Sequence, residues 1–315
     1  MNLSLFDGGE SGLLKNKLAP RLSELAHRGI LVGTSSWKYP GWLGQIYSPE
    51  RYATRGRFSQ KRFEAECLRE YAETFSTVCG DFAFYQFPTP EFWARLFASA
   101  PPPFEFAFKV PEQITVPRFP SHARYGPRAG ERNPDFLSVE TLAALFCEPL
   151  SPYQAQVGVL IFEFGTFAKE RMPSGEALIE LLDPFLAALP RPFRYAVEIR
   201  NADFLTAPYF ACLARHNVAH VFNSWTRMPA LGSQILLPDA FTADFTVVRA
   251  LLRPGRSYEE AVKRFAPYET VQPQDVQPAI RAALRDLLDQ GRRGYFYVNN
   301  RLEGNAPLTI ESILD

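Results

Sequence analysis

The sequence predicts an α/β protein built as a single (β/α)8 barrel. Three observations carry that expectation. Eight short apolar segments alternate with stretches of helical period, which implies parallel pairing through crossovers. The segments are apolar nearly throughout, as in a sheet buried on both faces. The length, 315 residues, suits one closed barrel. An open doubly wound sheet is the rival. The first turn, GTSSWKYPG, lacks the GxGxxG spacing that such a sheet usually shows.

Residues 1–28 read as an N-terminal extension, a polar lead-in followed by a short helix around Leu18 to Ala26; residues 29–315 form the barrel. ILVGTS (30–35) is the first strand. The helix after it runs from about Ser59 to Phe75, with Phe63, Cys67, Leu68, Tyr71, Ala72 and Phe75 on one face. A second strand covers about 77–84. Thr89 caps a helix with Pro90 in its first turn, and Trp93, Leu96, Phe97 and Ala100 face inward. FEFAFKV (104–110) is the third strand, followed by a loop rich in Pro, Arg and Gly over about 111–136. Ser138 opens a helix carrying Val139, Leu142, Leu145 and Phe146.

VGVLIFEF (157–164) is the fourth strand. Ser174 starts a helix with Leu178, Leu181, Leu182, Phe185 and Leu189, which Pro184 should kink or split. RYAVEIR (194–200) is the fifth strand, with a helix near 207–216 after it. VAHVFNS (218–224) is the sixth; the stretch 225–242 has no clear helical period, so the sixth connection is expected to be irregular. DFTVVRA (244–250) is the seventh strand. A long crossover then ends in a helix with Val276, Ile280, Ala283, Leu284, Leu287 and Leu288, closed by Gly291. GYFYVNN (294–300) is the eighth strand, and the tail from Ala306 leaves room for a short last helix.

Composition narrows the function classes. The 34 basic residues balance 34 acidic ones, so the chain has no bulk attraction to nucleic acid or to anionic membrane. No run approaches the ~18 to 20 apolar residues of a membrane helix. The start, MNLSLFDGGESG, has neither the basic residues nor the apolar stretch of a signal peptide. Cys67, Cys79, Cys147 and Cys212 are scattered, with no CxxC pair, which fits a reduced cytoplasmic protein.

Catalytic groups of such barrels lie at the C-terminal ends of the strands and in the loops after them. Those positions hold Trp37 and Tyr39, then Asp81, Phe84 and Tyr85, then Lys109, Glu163, Glu198, Arg200, Asn223, Arg249, Asn299 and Asn300. Glu198 and Arg200 are two apart and share a side of their strand. Any one such charge could be a structural ion pair. Lys109, Glu198, Arg200 and Arg249 together predict a ligand-facing cluster, because unpaired charge inside apolar strands is costly. Two arginine forks and a lysine can clamp a phosphate or carboxylate, and a partly desolvated glutamate can act as a base. Trp37 and Tyr39 would form an apolar platform, although packing is the commoner role of such rings. None of His27, His122, His216 and His220 forms an i,i+4 ligand pair, and His220, in mid-strand, reads as a core residue. There is no Walker loop and no GxSxG elbow. No cofactor is expected; a carboxylate-only magnesium site from Asp81, Glu163 and Glu198 stays open.

In these residues the chain resembles the YecE-like family, domain of unknown function 72, whose members are TIM-type barrels. The resemblance runs from about Ile30 to Pro307 through GTSSWKYPGW, IYSPE, TFSTVCGDFAFYQFPTPEFWARL, FEFAFKVPEQIT, YAVEIRNADF, FTVVR and YFYVNNRLEGNAP. It implies the barrel fold, keeps Lys109, Glu198, Arg200, Arg249, Asn299, Asn300, Glu303 and Gly304, and implies a loose likeness to sugar isomerases. Family positions that carry Glu and Asn at the second strand read Cys79 and Asp81 here, and four family histidines read Val116, Asn201, Leu251 and Asn305.

The expected function is therefore that of an enzyme acting on a small anionic or sugar-like molecule such as a sugar or sugar phosphate. Glu198 would be the base. Lys109 would be the electrophile or, less readily, a Schiff-base nucleophile. Arg200 and Arg249 would hold the anionic group, Asn299 and Asn300 would orient hydroxyls, and Trp37, Tyr39, Tyr85 and Asp81 would line the site. The alternative is a binding protein that has lost catalysis with the four histidines. A weaker alternative is metal-dependent nucleic-acid processing, drawn from the loop charges Arg118, His122, Arg124, Arg128 and Arg132; a solvated, flexible loop is the plainer reading. No membrane partner is expected, and the sequence is silent on oligomeric state.

Overall fold

The structure, a computed structural model, describes residues 13–272 and 277–315. The polar lead-in and Val276 fall outside them. Eight parallel strands close into a barrel: β1 (Ile30–Thr34), β2 (Thr77–Gly80), β3 (Glu105–Lys109), β4 (Val157–Glu163), β5 (Tyr195–Glu198), β6 (Ala219–Ser224), β7 (Phe245–Ala250) and β8 (Arg293–Val298). Each strand pairs with the next in sequence, and β8 closes on β1 from Ile30↔Gly294 to Thr34↔Val298. The (β/α)8 expectation is met.

Strand parity sets what the barrel holds. Alternate positions point inward, and the interior is a cluster that includes Leu31, Cys79, Ala107, Ile161, Val247 and Tyr297. At the N-terminal rim Tyr295 donates to Glu105 at 2.8 Å, and Arg293 pairs with the same carboxylate. This closes the bottom of the cylinder with a satisfied polar plug. Two glycines permit the close approaches. A Cβ on Gly33 would lie 2.0 Å from the Thr77 carbonyl oxygen, and one on Gly158, beside the register shift between β3 and β4, would lie 2.7 Å from the Tyr295 ring.

The outer layer comprises α1 (Leu14–His27), α2 (Gln60–Tyr71), α3 (Pro90–Ser99), α4 (Gly175–Ala187), α5 (Ala207–Arg215), α6 (Tyr258–Phe265), α7 (Gln277–Gln290) and α8 (Ala306–Leu314), with shorter turns between. Several expectations are corrected. The second and fifth strands are shorter than expected, so Asp81 and Arg200 sit just beyond strand ends. Pro184 does not split α4, which runs unbroken to Ala187. Leu181 and Leu145 are exposed, not inward. Leu145 lies in the π-helical turn Ala143–Cys147, which shifts the phase of the apolar stripe. The sixth connection is irregular apart from a short helix at Leu231–Ile235. The Arg-rich loop is folded on itself: buried Asn133 donates to the carbonyls of Gln113 and Val116, and Arg124 pairs with Glu112 at 3.1 Å.

Candidate functional site

Inward parity continues past the apolar layers to the C-terminal rim. There Lys109 of β3, Glu163 of β4, Glu198 of β5 and Arg249 of β7 converge with Asp81 and Arg200 from the following loops. Three cations meet three carboxylates in one connected network. Glu163 Oε2 is its hub, 3.2 Å from Lys109 Nζ, 3.0 Å from Arg200 and 2.8 Å from Arg249. Glu198 accepts from Arg200 on Oε1 at 3.1 Å and from Arg249 on Oε2. Asp81 reaches Lys109 at 3.3 Å and Arg249 at 3.8 Å. The cations also lie on ring faces: Lys109 Nζ is 3.8 Å from the Phe84 ring centre, and the Arg200 guanidinium is 3.8 Å from that of Trp225.

Electrostatics follow from this pairing. Burial pushes the Glu163 carboxyl up, but Arg200, Lys109 and Arg249 outweigh it and hold the group well below the usual carboxylate range. For Lys109 burial acts downward, and Glu163 and Asp81 outweigh it, so the ammonium is held above its ordinary value. Burial likewise opposes the charge on Arg249, and Glu198, Cys79 and Glu163 more than offset it. The Cys79 thiol is pushed up to about 12, chiefly by burial, and is no nucleophile.

The predicted cluster is thus brought together, with corrections to the roles inside it. Glu198 has no exposed surface and both its oxygens are held by guanidinium groups, which leaves it no room to act as the base. A lysine held protonated by two carboxylates does not supply the free amine of a Schiff-base nucleophile. Arg200 and Arg249 are engaged by Glu163 and Glu198 before any ligand arrives. Asn299 and Asn300 act largely as caps: Asn299 accepts from the Arg301 N–H and Asn300 from the Ala306 N–H. Tyr85 is exposed and stacks under Arg124 at 4.4 Å. Tyr39 packs against Trp42 and Tyr268. The magnesium alternative finds its three carboxylates already occupied by cations, and among the described residues no group of acidic, His or Cys side chains is arranged to hold a metal.

Asp81 is the accessible acid of the network, 45% exposed at its side chain. It also borders a cavity of about 1040 Å³ that runs from the loops after β1 and β2 down between α2 and α3. Trp37 forms part of the same wall, edge-on to Phe82. At the same end of the barrel, Ser35 Oγ, Trp37 Nε1, Asn223 Oδ1 and Asn300 Nδ2 are buried without a protein hydrogen-bond partner. Two positions where the family resemblance implies histidine have structural uses here: Asn201 bonds the backbone of Phe167, and Asn305 caps α8. His220 is buried as expected, with Nδ1 3.2 Å from the Tyr209 hydroxyl.

Comparison with known proteins agrees with the architecture. The model of a family described as "Protein of unknown function DUF72" matches residues 31–315. UPF0759 protein YecE of Escherichia coli strain K12 is 29% identical over 175 residues, 56% of this chain and 50% of that protein. The same values hold for YecE of E. coli O157:H7, so the matched region spans about half the length of these curated relatives. A DUF72 family protein of Thermotoga maritima MSB8 has a TM-score of 0.58 at 17% identity, covering 90% of this chain and 96% of its own. One from Enterococcus faecalis V583 has 0.58 at 16%, covering 90% and 95%.

Proposed function

The chain belongs to the DUF72 family, and from that premise we propose that it binds and turns over a small anionic or sugar-like molecule at the C-terminal mouth of its barrel. The chemistry is proton transfer related to that of sugar isomerases. Asp81, half exposed at the cavity wall, takes the base role, and the Lys109 ammonium 3.3 Å away stabilises the negative charge that develops on the substrate. Trp37 forms part of the wall against which the bound molecule would lie. Glu163, Glu198 and Arg249 hold Lys109 and Arg200 in register behind it.

The observation that carries this reading is the buried six-charge layer itself. Between this layer and the Glu105–Arg293–Tyr295 plug at the N-terminal rim the interior is mostly apolar, and a buried ionic network is weak support for stability, so six charges gathered at the C-terminal mouth are better explained by chemistry than by packing. Thermal shift with a panel of pentoses, hexoses and their monophosphates, followed by deuterium wash-in from D2O, tests it. A ligand should stabilise the protein and exchange a carbon-bound proton. Asp81→Asn should slow that exchange about 100-fold or more while the thermal shift remains. Exchange unaffected by Asp81→Asn overturns the role, and stabilisation without any exchange favours a binding protein, the alternative that the replaced family histidines support. A panel that leaves the melting temperature unmoved sinks both.

A further inference from the structure

A further cation stands at the mouth of the barrel, outside the six-charge network. Arg301 lies just beyond β8 in the turn Asn300–Glu303, its backbone N–H donating to Asn299 Oδ1 at 2.9 Å. Its side chain is partly buried and reaches the start of α6. There Nη2 donates to the Tyr258 hydroxyl at 3.2 Å, and the guanidinium lies 4.3 Å from the Tyr258 ring centre. Nε is shielded from solvent and has no acceptor, and among the described residues no carboxylate pairs with this guanidinium. Glu303, on the same turn, accepts from Gln277 at 2.9 Å and from Thr309 at 2.8 Å. A cation held by a phenol and a ring keeps its full charge for another partner, and a shielded N–H without an acceptor is costly.

Strand order relates Arg301 to the chemistry proposed above. β8, β1 and β2 lie side by side, so Arg301 and Asp81 follow the strands that flank β1. The loop after β1 carries Tyr39, whose ring packs 4.9 Å from that of Trp42 and 5.5 Å from that of Tyr268. This loop is tied down: Asn305 donates to Gln45 Oε1 at 2.9 Å and to the Tyr268 carbonyl at 2.8 Å, and Gln45 donates to the Glu269 carbonyl at 2.9 Å. Burial is the main cause that holds the Tyr39 hydroxyl above its ordinary value; Arg301 acts downward, and Tyr268 and Asp81 act upward. Asp81 and Arg301 are thus within electrostatic reach of one hydroxyl, which stays protonated and can donate.

We propose that Arg301 receives the anionic group of the molecule bound at the mouth, and that this molecule is a small phosphomonoester, not a neutral sugar. The inference rests on the mouth being the site proposed above. Arg200 and Arg249 are already held by Glu163 and Glu198, so neither has charge to spare for an anion, and Arg301 has. A planar guanidinium suits phosphate oxygens, and the loops after the seventh and eighth strands are where barrels of this class often bind phosphate. Tyr258 and Arg301 come from those two connections. Phosphate held at Arg301 leaves the carbon end of the molecule to Asp81, with the Tyr39 hydroxyl as a donor between.

Calorimetric titration of the full chain with ribose, glucose and their terminal monophosphates tests it. At least one monophosphate should bind about tenfold or more tightly than its parent sugar. Arg301→Gln should abolish that preference and leave the parent sugar unaffected. Arg301→Lys keeps the charge without the fork and should retain part of the preference. Arg285→Gln removes an exposed charge on α7 and should change neither affinity. Monophosphates that bind no more tightly than their sugars, a preference that survives Arg301→Gln, or an equal loss for sugar and monophosphate overturns the proposal. Deuterium exchange separates its failure from that of the proton-transfer reading. Exchange into a neutral sugar, slowed by Asp81→Asn and with no preference for phosphate, sinks the role of Arg301 and keeps the reaction. A preference that depends on Arg301 without any exchange removes the reaction and keeps the anion site.

Discussion

Arg249 is the residue on which the polar layer of the barrel depends. It is buried, and it alone touches all three carboxylates of the network. Arg249→Met keeps much of the volume and removes the charge, leaving Glu198 and Glu163 under-compensated in a dry site. We expect a loss of about 3–5 kcal/mol in urea unfolding, the cost of breaking a buried pair from one side. Arg200→Met should cost less, since Arg200 is partly exposed. Equal losses would mean that the network is not organised around Arg249. Most of this site was legible in the sequence, because period-two parity on short apolar strands marks which charged residues face inward. Pairing was not legible. Alternation says that Glu198 enters the barrel, but only closure of the cylinder brings Arg249 from two strands away against it, and that contact is what removes Glu198 from the list of bases. Asp81 gained importance for the same reason: its exposure follows from β2 ending early, a boundary that the apolar run 82–84 concealed.

At the scale of elements, the close approach of β1 to β2 rests on a missing side chain. A methyl group on Gly33 would meet the Thr77 carbonyl oxygen, a backbone atom with no flexible end to swing away. Gly33→Ala should therefore destabilise by about 1–3 kcal/mol or more, seen as a lower urea midpoint. A neutral result would show that the two strands can separate without loss. The capping box of α6 makes a milder prediction: Ser257→Ala should cost about 1 kcal/mol. That helix was missed in reading the sequence, although Ser257 and Glu260 carry the Ser-x-x-Glu signal, because its polar exposed face masked a short apolar stripe. Leu145 shows the opposite failure, where a regular period was assumed through a turn that widens to π geometry. The eight strands were recoverable since each is buried on both faces, so composition alone distinguished them from their surroundings.

For the whole molecule, the buried titratable groups predict acid unfolding in two overlapping stages. Burial lowers the His220 imidazole to about 3, so the folded state refuses a proton that the unfolded chain accepts below its ordinary value of about 6.5. Stability must therefore fall as pH drops through that window, on the order of 3 kcal/mol between about pH 7 and about pH 4. Glu163 adds to the loss at lower pH. Its folded value is depressed, so its contribution is complete above the unfolded value of about 4.3 and disappears as pH falls towards the folded one. The two slopes share a sign but not a range. Urea midpoints of the wild type and His220→Gln, measured from neutral pH downward, separate them. The variant should hold a flat profile to about pH 5 and lose stability only below it. A wild-type profile already flat over that range would mean that His220 is charged in the folded barrel, with the Tyr209 hydroxyl as its acceptor.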